Sequence, residues 1–162
     1  MSIKVKMASL GLICLLTFAS GCVELAMLYH GKTVSNAPVV ALQEGSAITG
    51  RWETFDLVVN YQYAKKGDSL EFSAKAALSE HYKMTYDKLT EMRVFIFFLD
   101  KDSRVLETAS FADTWSSNTR DTQDISQSYV TPPGTSEFSF GYSGQVRDGK
   151  STDNFYKLPL GN

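Results

Sequence analysis

His30 and His81 are the only histidines in the chain, so a hydrolytic triad or a zinc site would have to be built around one of them. His81 follows Glu80, but no HExxH or CxxC pattern surrounds it, and a lone histidine beside a glutamate reads as a solvated surface pair. The stretch Gly141-Tyr142-Ser143-Gly144-Gln145 follows the GxSxG nucleophile elbow until Gln145 takes the place of the last glycine. That elbow also requires a strand-to-helix turn, and nothing helical is expected after it. Downstream of residue 21 no serine has a lysine three positions later, so the SxxK nucleophile is missing too. Asp100-Lys101-Asp102 opens like a calcium loop, but Arg104, Val105 and Phe111 stand where that loop needs Asp or Asn, Gly and Glu. A hairpin turn is the simpler reading. No catalytic residue, metal site or cofactor is expected, and the chain reads as a non-enzyme.

The chemistry that the sequence does mark is at Cys22. Lys4 and Lys6 precede an uncharged apolar run from Met7 to Phe18, followed by the small residues Ala19, Ser20 and Gly21. Those are the parts of a secretory signal. The competing reading is a membrane span continued through Val23, Leu25, Ala26, Met27, Leu28 and Tyr29, which would have to hold Glu24 and the Ser20-Gly21 break within about 20 residues. Ala19-Ser20-Gly21-Cys22 resembles the lipobox of bacterial lipoproteins, with Ala where Leu is commoner. That resemblance implies cleavage before Cys22, acylation of its thiol and amine, and a durable hold on a lipid bilayer, since each buried CH₂ adds about 0.8 kcal/mol. It further implies the outer membrane of a Gram-negative envelope, because Val23 replaces the Asp that favours inner-membrane retention. Cys14 would leave with residues 1–21, so no internal disulfide is expected in the mature chain.

Removing 21 of the 162 residues leaves 141, the size of one domain. With Lys4 and Lys6 gone, 14 basic residues face 18 acidic ones, a formal charge of −4 with neutral histidines. No basic patch emerges, which argues against a nucleic-acid partner. Apolar residues make up 43% of the chain and aromatics 12%, enough to build a core without disulfides.

The elements that would carry any site are read from periodicity. Residues 22–49 are expected to be the lipidated N-terminus and a tether, with Pro38 to Leu42 as an alternative edge strand. The globular domain is expected over 50–162. Phe55, Leu57, Val59, Tyr61 and Tyr63 alternate, as do Leu70, Phe72, Ala74 and Ala76, around a Lys65-Lys66-Gly67-Asp68 turn, which predicts a β-hairpin. Ser79 to Thr90 suits a short helix. "MRVFIFFL", residues 92–99, predicts a central strand covered on both faces at the heart of the core. Residues 113–124 read as a polar surface loop, and strands follow at 125–131, around 138–142 and in the tail at 154–160. Six to eight antiparallel strands with at most one short helix predict an all-β sandwich, the small β-barrel being the alternative. The pattern resembles the immunoglobulin-like and fibronectin-like sandwiches of envelope lipoproteins, without the Cys and Trp hallmarks of true immunoglobulin domains.

Most aromatics are assigned to the core, Phe55, Tyr61, Phe95 and Phe140 among them. Trp115, in the expected loop with Asp113 and Arg120 nearby, is the candidate binding contact, with the end of the sandwich as its other possible seat. The sequence therefore points to a lipid-anchored envelope module that offers loops or an edge strand to a protein partner. A glycan-binding accessory role is the alternative.

Overall fold

A computed structural model describes residues 28–149 and 151–160 and, of Trp115, the backbone alone. Nine strands form two antiparallel sheets: β1 (Val40–Ala41), β2 (Gly45–Glu53), β3 (Leu57–Lys66), β4 (Ser69–Leu78), β5 (Lys88–Leu99), β6 (Val105–Asn118), β7 (Gln123–Val130), β8 (Glu137–Asp148) and β9 (Ser151–Lys157). A short helix, α1 (Glu80–Thr85), joins β4 to β5. One sheet runs β2-β3-β4-β7. In the other, β8 pairs with β5, β5 with β6, and the far flank of β8 is shared by β1 at one end and β9 at the other. The sheets do not close into a barrel, so the sandwich holds and the barrel alternative falls.

The expected hairpin is β3–β4. Leu57, Val59, Tyr61 and Tyr63 face Leu78, Ala76, Ala74 and Phe72 across the ladder, and all eight are buried. The chain reverses at Gly67, whose φ of 62° is left-handed and suits glycine. Large residues stand opposite small ones at Tyr61–Ala74 and Val59–Ala76, leaving room for rings from the other sheet. Phe138 and Phe140 of β8 enter that room edge-on, at 5.5 Å from Tyr61 for Phe138 and 5.5 Å from Trp52 for Phe140. Emptying this centre, as in Phe140→Ala, removes contacts of a kind that contribute about 3–5 kcal/mol.

The central strand is β5, covered on both faces as its composition predicts. Val94, Ile96 and Phe98 join the main core, whereas Phe97 and Leu99 belong to a second cluster with Val34 and Val105. That second cluster is roofed by the incoming chain: Tyr29 packs on Phe97 at 5.6 Å, and Gly31 and Val34 donate to the carbonyls of Val105 and Ser103. From Tyr29 onward, the segment read as a tether therefore lies against the sandwich, and Val40–Ala41 pairs with β8 as the edge-strand alternative anticipated.

Three expectations are corrected. Phe55 is not core: it sits in the β2–β3 connection, 71% exposed, because β2 ends at Glu53 and the alternating run beginning at residue 55 belongs to β3 only from Leu57. Phe95 is only half-buried, on the second cluster. Residues 113–118 are not loop but the second half of β6, in register with Lys88–Arg93 of β5. This half is polar because it lies at a sheet edge and Asp113 faces outward beside Arg93, 3.9 Å away. The true connection is only residues 119–122.

Candidate binding edge

The residues singled out for chemistry are scattered. Cys22 lies outside the described residues. Trp115 is on β6, opposite Glu91, rather than in a loop. His30 is exposed, with Nδ1 2.9 Å from the Leu106 carbonyl. His81 is exposed on α1, and its ring leans on Phe55 at 5.2 Å. Among the described residues no three His, Cys, Asp or Glu side chains gather as a metal site. Ser143 lies within β8, opposite Arg93 and Tyr156, with no turn behind it. The Asp100 carboxylate accepts the backbone N–H groups of Asp102 and Arg104, both at 2.9 Å, which closes the β5–β6 turn and holds that carboxyl below its usual range.

A different polar cluster joins the sheets at the α1 end. The buried Tyr142 hydroxyl donates to Asp56 at 2.6 Å and lies 2.8 Å from Thr54 Oγ1. Burial, then the hydrogen bond to Asp56, push the Tyr142 phenol well up. Tyr82 is pushed up to about 12 by burial first and the Asp56 charge second. Phenols held neutral in this way serve as structural donors.

What the fold leaves open is an edge. A sandwich has strand edges whose unpaired N–H and C=O groups invite further strands. At one corner β6 and β7 lie side by side, and β7 side chains stitch the gap: Gln123 Nε2 donates to the Asp113 carbonyl at 3.1 Å, Gln127 Nε2 to Phe111 at 3.4 Å, and the Tyr129 hydroxyl to Ser110 at 2.8 Å. At the flank of β8, β9 is blunted in its middle, where the Asp153 carboxylate takes the Asn154 N–H at 2.9 Å.

The outer edge of β2 has neither device over its second half. From Gly45 to Ile48 the strand is bulged, with Ala47 at a left-handed φ of 57°, which spoils that stretch for pairing. From Ile48 to Glu53 it is regular, pairs with β3 alone, and its outer edge has no hydrogen-bond partner among the described residues. Its outward face shows Thr49, Arg51 and Glu53, the last two joined by a 2.8 Å ion pair that holds the Glu53 carboxyl below its usual range. Its inward face carries Ile48, Gly50 and the buried Trp52, whose Nε1 donates to the Pro38 carbonyl. Beside it, the outer face of the sheet forms a shallow trough of about 630 Å³ lined by Thr49, Asn60, Gln62, Ser73, Lys75 and Asp124.

Periodicity missed this strand altogether. "GSAITGRWE" has two glycines and little alternation, and only Trp52 is fully buried. Its edge position explains that composition, since one flank has no neighbour to pack against.

No family model matches the chain, and no curated protein or solved structure matches it significantly.

Proposed function

We propose that this protein is a lipid-anchored envelope module that recruits a protein partner by strand addition at the β2 edge and does no chemistry itself. The observation that carries the reading is the β2 edge itself: Ile48–Glu53 is regular and pairs with β3 alone, whereas β7 side chains reach three β6 carbonyls and the Asp153 carboxylate takes the Asn154 N–H in β9. Main-chain pairing at such an edge supplies affinity, and alternate side chains supply selectivity. The anchor rests on the signal and on the lipobox-like Ala19-Ser20-Gly21-Cys22, which would hold the domain at the outer membrane of a Gram-negative cell. A glycan-binding role has one favourable observation, the trough of amides and hydroxyls beside β2.

Site-specific photo-crosslinking in a Gram-negative host tests the recruitment. A crosslinker at Thr49 is expected to give a discrete protein adduct, whereas the same group at Ser128 on β7 or Thr152 on β9 gives none. Equal adducts from all three positions, or an adduct from β7 alone, would overturn the assignment of the edge.

A further inference from the structure

The open edge also specifies the strand that completes it. We infer that β2 takes an antiparallel strand carrying a basic residue opposite Glu53 and, two residues later, an acidic residue opposite Arg51; this rests on the recruitment reading above. Every pairing in the described sandwich is antiparallel, and parallel ladders are slightly less stable per residue. Arg51 and Glu53 lie on the same, outward face of β2, both about half exposed. Opposite side chains in an added strand come within about 5 Å of them, so charge complementarity fixes the register.

The inward positions are specified too. Those residues face Gly50 and the buried Trp52 and so are expected to be apolar. At Gly50 the phenol of Tyr61 occupies the space that a Cβ would fill. The Tyr61 hydroxyl thus lies over Gly50, on the inward side of the edge strand. Thr49, last in the row, favours a β-branched neighbour. Read from its own N-terminus, the incoming strand is therefore basic, apolar, acidic, apolar, β-branched.

Two nine-residue peptides of equal composition, one centred on KVEVT and the other on EVKVT, test the inference by NMR titration of the full chain in detergent. KVEVT is expected to shift and protect the amides of Ile48–Glu53 about tenfold more tightly than EVKVT, as expected when two unlike charge pairs replace two like ones. The preference should shrink as salt is raised. The exposed double exchange Arg51→Glu/Glu53→Arg keeps the ion pair within β2 and should reverse the preference. Equal binding of both peptides at β2 would overturn the charge rule and leave the recruiting edge standing. Binding at β9, or none at β2, would overturn both. Concentration-dependent shifts of β2 in the absence of peptide would assign the edge to a second copy of this chain and overturn the separate partner.

Discussion

At the scale of residues, three tyrosines serve structure. Tyr82, Tyr129 and Tyr142 are buried or anchored by hydrogen bonds, and burial raises each phenol above its ordinary value of about 10. A folded state that holds these protons more tightly than the unfolded chain contributes stability that is fully present below pH 10. Above that pH the unfolded state binds fewer protons, so the contribution falls as pH rises from 10 through 12. The melting temperature is therefore expected to be flat between pH 7 and 9 and to drop steeply between 10 and 12, with tyrosinate absorbance appearing together with unfolding. Full ionisation of all tyrosines at pH 11 in a chain that still melts cooperatively would contradict this account. The sequence marked Tyr61 and Phe140 as core by alternation alone. It could not mark the Tyr142–Asp56 bond, because its partners lie 86 positions apart and meet only when the sheets stack.

At the scale of elements, what was legible was what packs. The β3–β4 hairpin, the central β5 and the short α1 all announce themselves through period-two runs, a dense apolar run or a change of period. Edge strands do not, since a strand with one flank or face in water carries a diluted pattern; β2 and the second half of β6 are both of this kind. The stitching of β6 to β7 is likewise invisible in sequence, because Gln123, Gln127 and Tyr129 look like ordinary polar positions until β6 lies beside them. It has a testable cost. The double variant Gln123→Ala/Gln127→Ala removes two side-chain donors, and about 0.5–1.5 kcal/mol for each is the expected loss. Urea titration should show a lower midpoint with an unchanged slope. Light scattering should show self-association as the β6 edge opens. An unchanged midpoint together with a monodisperse sample would mean that the stitch contributes nothing.

At the scale of the whole molecule, one short segment links the core to the proposed anchor. Leu28 is only six residues from Cys22, a reach of about 20 Å when fully extended, and from Tyr29 onward the chain is packed on the outer face of β5 and β6. An acylated Cys22 would hold that face near the bilayer. Sheet β2-β3-β4-β7, with the open β2 edge, would then lie on the side of the sandwich away from β5 and β6, where a partner can approach. None of the helices among the described residues is long and apolar enough to cross a membrane; the proposed attachment through lipid rests on the lipobox-like Ala19-Ser20-Gly21-Cys22. The most direct test is the intact mass of the protein expressed in a Gram-negative host, wild type beside Cys22→Ala. Attachment through lipid predicts residues 22–162 plus acyl chains in the wild type, with the acyl mass lost in the variant. An unacylated wild-type mass that retains residues 1–21 would contradict it.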